Sequence, residues 1–169
     1  PFICFTAEEA WLTRHPDQTS GNSVHLRTFP DVPAGWADAD LAEKWANVRT
    51  LRRAVTGALE VARANKIIGA SLQAHPEVYA PAAYRTATEG LDLAELCITS
   101  GFTFMDGDAP TDAQRSEETA DIAVVVAKAS GEKCERCWKV LDEVGSDADH
   151  PTVCNRCADA VRHHEPQAA

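Results

Sequence analysis

Two Cys-x-x-Cys knuckles, Cys134-Glu-Arg-Cys137 and Cys154-Asn-Arg-Cys157, constrain this chain more than any other feature. Sixteen residues separate them, which falls within the spacing of four-cysteine zinc sites. Each knuckle aims two thiolates at one point, and two facing knuckles complete the tetrahedron that Zn²⁺ accepts without strain. With all four positions filled, no reactive water has a place, so one structural zinc held by Cys134, Cys137, Cys154 and Cys157 is expected, and its binding energy becomes folding energy. A redox pair would come singly beside a βαβ pattern, and a disulfide framework would need an oxidising compartment, for which no signal peptide is visible. Cys4 and Cys97 stand alone among apolar residues and are expected to be buried thiols.

A chain of 169 residues holds one domain or two small ones. Its net charge of −10 argues against gripping nucleic acid over the whole surface, because nonspecific binding is mostly phosphate neutralisation by Lys and Arg. Any such contact has to be local. No transmembrane run is visible, and the apolar start Pro1-Phe-Ile-Cys-Phe5 without an initiator Met reads as a piece of a longer chain.

Taken in order, Thr6-Ala-Glu-Glu9 fits a capping box with Phe5 as staple, predicting a helix to about Thr13 that His15-Pro16 ends. Residues 17–38 read as a wrapping connector without a core, punctuated by Gly21, Pro30, Pro33 and Gly35, with one extended stretch at Ser23-Val-His-Leu26. Asp38 or Asp40 caps the longest helix. Leu41, Trp45, Val48, Leu51, Val55, Leu59 and Ala62 recur at three- and four-residue steps and predict a continuous buried stripe, with Lys66 and Gly69 at its end. A strand-like run at Glu77-Val-Tyr-Ala80, a helix from Pro81 to about Glu89, and strands at 93–99 and 121–129 make a small α/β unit. Between the last two, residues 106–121 carry six acids against the single base Arg115 and predict a mobile loop that RNA would avoid. The tail after His164 is expected to be disordered.

The long helix carries six bases against Glu43 and Glu60 in residues 41–66, a local charge of +4 inside an acidic chain. On a helical wheel Arg49, Arg52, Arg53 and Arg63 fall on one flank beside the apolar stripe, so the four guanidinium groups are expected to face the same way. Such a flank suits phosphate contact and base stacking, although composition alone favours a solvated face.

These residues resemble a known family. Pro1-Phe-Ile-Cys-Phe-Thr-Ala-Glu-Glu-Ala-Trp11, Ser23-Val-His-Leu26 and Phe29-Pro30 are similar to the anticodon-binding region of bacterial isoleucyl-tRNA synthetases. So are Arg52-Arg-Ala-Val55, Ala58-Leu-Glu60, Ala62-Arg63, Lys66, Ile68-Gly69 and Ser71-Leu72, and the two knuckles resemble the zinc ribbon that closes those enzymes. A related ribbon ends one group of DNA glycosylases, whose helical DNA-binding domain and N-terminal nucleophile are missing here.

The resemblance implies an α+β chain: the end of a helical anticodon-binding domain (1–75), a small α/β junction (76–130), a four-cysteine zinc ribbon (131–164) and a tail (165–169). It also implies a class I ligase that activates isoleucine with ATP and transfers it to tRNA(Ile) in the cytoplasm. The motifs His-Ile-Gly-His and Lys-Met-Ser-Lys-Ser are absent from this sequence, so ATP would be bound only in a catalytic domain outside it, and this region would not itself be catalytic. The expected partners are the anticodon region of tRNA(Ile) and the body of the same enzyme, with no membrane and no DNA. The expected tRNA contacts are Arg49, Arg52, Arg53, Arg63 and Lys66 on the helix, and Arg136, Trp138, Lys139 and Arg156 beside the knuckles. For Trp138 a second role, a lid over the metal-bound sulfurs, stands beside base stacking. For the whole region the alternative is a structural cap that touches no RNA.

Overall fold

The computed structural model describes residues 3–16 and 23–164. The expectations for Pro1-Phe2, for residues 17–22 and for the tail at 165–169 lie outside the described residues. The chain divides into two units, Pro1–Asp38 and Ala39–Ala169.

In the first unit, helix α1 spans Cys4–Arg14 and is followed by 3-10 turns at Val24–Leu26 and Ala34–Trp36. The expected capping box does not form. The helix starts three residues earlier, with Ile3 at the N-cap and Ala7 N donating to Ile3 O at 2.8 Å, so Thr6 is already inside it. Phe5 is 93% exposed and staples nothing, and Cys4 is exposed rather than buried. Glu8 instead accepts from Ser23 Oγ at 2.9 Å and from Val24 N at 3.0 Å. Ser23 in turn accepts from His25 N at 3.2 Å, and this local side-chain bond makes a 3-10 turn where an extended stretch was expected. None of the residues in these three elements is buried.

The second unit is built on helix α2, Ala39–Ala64. Its stripe buries Val48, Leu51, Ala54, Val55, Ala58, Leu59 and Ala62, but Leu41 is 49% exposed and Trp45 only half-buried, so the stripe is shorter than its periodicity predicts. Lys66 closes the helix in the left-handed region at φ 60°, which lets Ile67 N reach Ala62 O at 2.9 Å. Strand β1, Ala74–Tyr79, then runs between β2, Thr103–Phe104, parallel to it, and β3, Ala123–Lys128, antiparallel. Pro76 sits inside this central strand. Ala74 O and Val78 O receive Ser100 N and Met105 N, so by alternation the Pro76 nitrogen, which has no hydrogen to give, faces the same side. That side holds only the two-residue β2.

Two further expectations are corrected. Residues 93–99 are not a strand: α4 spans Leu93–Cys97, capped by Asp92, whose side chain accepts from Glu95 N at 3.0 Å, and closed by Ile98 at φ 57°. Asp92-x-x-Glu95 has the form of a capping signature, and it outweighs the apolar run that suggested a strand. The acidic segment 106–121 is tied down. Gln114 and Val124 exchange two backbone bonds of 2.8 and 2.9 Å, and a 3-10 turn at Glu117–Thr119 buries Thr119 to 2% exposure. Helix α3, Ala82–Ala87, begins after Pro81 close to expectation.

Leu51, Val55, Leu59 and Ile68 pack with Val78, Ile122 and Val124 in one core. The division expected between residues 75 and 76 therefore runs through a single core, in which the α2 stripe closes on Val78, Ile122 and Val124 from beyond that boundary. After β3 the chain makes a hairpin of β4, Glu132–Lys133, and β5, Val140–Leu141, and the last element among the described residues is α5, Asn155–Arg162. Gly131 enters the hairpin at φ 97°, where a Cβ would come within 2.2 Å of the Leu141 carbonyl carbon. Only glycine fits that turn.

Candidate metal centre and nucleic-acid interface

The first knuckle follows β4 and the second runs into the start of α5, so a hairpin and a helix N-terminus present the four cysteines to one another. Their sulfurs all lie within 4.8 Å, with Cys137 Sγ and Cys154 Sγ 3.7 Å apart. Tetrahedral zinc with Zn–S bonds of about 2.3 Å requires sulfurs about 3.8 Å apart, so the cage fits the ion with little movement. Cys134, Cys154 and Cys157 are buried and Cys137 is partly so, with Leu141, Val144 and Val153 packed around them. The residues present fit one structural zinc held by four thiolates, with no fifth position for water.

Electrostatics favour a metal here over four free thiols. Burial alone would raise the Cys134 thiol, but amides of Cys137, Cys154 and Arg136 aimed at its sulfur bring it down to about 6. Burial and the neighbouring sulfurs push Cys154 up to about 12, and burial raises Cys137. Without a cation these groups do not all ionise together; a divalent ion lets them, releasing their protons.

The residues expected to meet RNA are placed less uniformly than the helical wheel suggests. Arg52 Nε donates to Leu96 O at 2.7 Å, while Arg53 turns toward Glu118 at 3.6 Å, so these neighbours leave α2 toward different segments. Arg63 pairs with Glu60 on its own helix at 3.0 Å. The single shared flank is therefore corrected: a guanidinium on a flexible three-carbon stem goes to the nearest acceptor, and the fold supplies acceptors to either side. Arg49 and Lys66 are exposed.

Beside the knuckles the four expected residues also divide. Lys139 is 16% exposed, its ammonium 2.7 Å from Glu95 Oε1, and Arg156 reaches the same oxygen at 3.2 Å. Arg136 Nη1 lies 3.6 Å from Cys157 Sγ. Trp138 is no lid: it is 61% exposed at φ 67°, with Lys133 Nζ 5.0 Å from its ring centroid. Lys133 and Glu95 are the participants that the sequence reading missed. Lys133 was visible as a base flanking the first knuckle; Glu95 carried no signal, since its partners are more than forty residues away.

Residues 1–78 match the anticodon-binding domain of tRNA ligase, and residues 131–160 match the zinc finger found in FPG and IleRS. Over 163 residues the chain is 48% identical to the isoleucine–tRNA ligase of Brucella abortus biovar 1 (strain 9-941), covering 96% of this chain and 16% of that protein. It is 45% identical to that of Agrobacterium fabrum over the same shares, and 48% identical over 166 residues to that of Rhodopseudomonas palustris. The chain thus spans about 16% of the length of the curated relatives it matches. With both segments present in the same order and joined by the fold described above, the chain belongs to the isoleucine–tRNA ligase family, as the region that carries an anticodon-binding segment and a four-cysteine zinc finger.

Proposed function

We propose that this region recognises the anticodon side of tRNA(Ile) for an enzyme that activates isoleucine with ATP and transfers it to that tRNA in the cytoplasm, and that the region itself carries no chemistry. The observation that carries the reading is Trp138, a mostly exposed indole beside a closed metal site with a lysine over one face. Anticodon bases are single-stranded and stack on such platforms while cations hold the backbone. Arg49 and Lys66, exposed on and just beyond α2, Arg53 and Arg63 on α2, and Arg136 and Arg156 in the ribbon supply the positive charge. The described helices include none long and apolar enough to cross a membrane. Phe5, Phe29 and Trp36 are 93%, 100% and 76% exposed, which supports the remainder of the longer enzyme as the other partner.

Titrating the protein with tRNA(Ile) and with an unrelated tRNA at two salt concentrations tests the reading, since specific contact survives salt that removes phosphate-only binding. Trp138→Ala is expected to weaken tRNA(Ile) by about 1–3 kcal/mol, the worth of one stacked base, with zinc content unchanged. Equal affinity for both tRNAs, or no effect of Trp138→Ala, favours a structural cap. That second reading draws on Glu95, whose bonds to Lys139 and Arg156 fasten the ribbon to α4.

A further inference from the structure

Four thiolates around a divalent cation leave a net charge of about −2, which the protein has to offset. Backbone amides contribute to this at Cys134, Cys137 and Cys154. Cys134 Sγ accepts from Cys137 N at 3.5 Å and Cys154 N at 3.3 Å, Cys137 Sγ accepts from the Lys139 amide, and Cys154 Sγ from the Cys157 amide. Cys157 lies in the first turn of α5, and the amide that follows it, Ala158 N, is taken by Cys154 O at 2.9 Å. The Cys157 sulfur also receives a side chain, Arg136 Nη1 at 3.6 Å. A second guanidinium, Arg156, acts on the Cys137 and Cys157 sulfurs and is held from behind by Glu95 Oε1 at 3.2 Å. Two cations thus stand against a centre with two units of excess negative charge.

We propose that Arg136 and Arg156 form the charge-compensating shell of the zinc centre, so that it holds its metal more tightly than four thiolates would unaided, and that Glu95 positions Arg156 for this task. The role differs from RNA contact and does not depend on it. Lys133 provides the contrast: it belongs to the same ribbon and carries the same charge, but its ammonium lies over Trp138.

The test is zinc affinity by competition with a chromogenic chelator on the purified protein, with no RNA present, so it stands or falls separately from the tRNA reading. Arg136→Gln and Arg156→Gln are each expected to weaken zinc binding by about tenfold, the usual effect of removing a partner of a metal ligand. Arg136→Lys, which keeps the charge, is expected to recover part of the loss. Glu95→Gln is expected to act in the same direction as Arg156→Gln and to add nothing to it in the double variant. With cadmium substituted for zinc, the metal's NMR resonance is expected to move in both Gln variants and to stay in place in Lys133→Gln. Should Arg136→Gln fail to fold, Arg156→Gln, altered at a side chain that is 65% exposed, decides the matter. Affinity within about twofold of the parent in the Gln variants that fold, or an equal loss in Lys133→Gln, overturns the proposal.

Discussion

The α2–sheet body and the cysteine ribbon solve the same problem by different physics. The body closes around Leu51, Val55, Val78, Ile122 and Val124, each no more than 1% exposed. The ribbon buries Cys134, Cys154, Cys157 and Ala158, and its aliphatic residues Leu141, Val144 and Val153 are only partly covered. A 26-residue helix can offer an apolar stripe long enough to pack a sheet on, whereas two short strands and an eight-residue helix cannot, so there a metal takes the place of a core. Where the two regions meet, the contact is polar. Ser100 Oγ donates to Leu72 O at 2.5 Å and accepts from Val140 N at 2.7 Å, joining the approach to β1 to strand β5.

The strongest way to break this comparison is to remove the metal. Structural zinc is worth on the order of 10–16 kcal/mol, far more than this ribbon can replace. Chelation, or Cys154→Ser with Cys157→Ser, is expected to abolish amide protection from about residue 131 onward and leave α2 protected; loss of protection across residues 41–66 would show that the two regions share one source of stability. Leu51→Ala attacks the other side. It is expected to cost about 3 kcal/mol in denaturant unfolding of the body, by lost burial and a cavity, while zinc stoichiometry stays at one. A fall in zinc content would count against independent cores.

Cys97 separates the two regions by pH. Burial pushes this body thiol up from 9.0 to about 11, with Arg52 opposing, so the fold disfavours its ionised form. Its contribution is present in full below pH 9 and is lost as pH rises through about 11, a difference of about 2–3 kcal/mol. Cys97→Ala is expected to flatten that alkaline decline, measured as unfolding free energy against pH, and an unchanged slope would mean that the decline comes from elsewhere. The smallest effect belongs to the seam. Ser100→Ala removes one donor and one acceptor at a buried hydroxyl and is expected to cost about 1–2 kcal/mol, with faster exchange at Val140 than in the core of α2. Uniform exchange across both regions would make them a single cooperative unit.

The ribbon was readable from the chain because its determinant is local: four ligands at fixed spacing specify a tetrahedron whatever surrounds them. The core of α2 was readable for a similar reason, since a stripe at helical period repeats within a few turns, though only the packed structure showed that it is buried from Val48 and not from Leu41. Helix α4 was misread because an apolar run of that length suits strand or helix alike, and the deciding signal was a single cap at Asp92. The acidic segment was misread because charge composition reports which side chains face water and says nothing of a backbone pair such as Gln114 with Val124.

By itself the sequence determined the metal ligands, the long helix and the family resemblance, all of which rest on residues close together along the chain or on a linear order of motifs. Only the tertiary structure decided what the cations do. Arg52 is committed to Leu96 O, Arg53 to Glu118, Lys139 and Arg156 to Glu95, and Arg136 to a cysteine sulfur, while Trp138 remains open to solvent. Apart from Arg136 with Cys157, these pairings span more than forty residues, and even that one spans twenty-one. A long flexible side chain takes whichever acceptor the fold brings within reach, and no local pattern in a sequence records which one that will be.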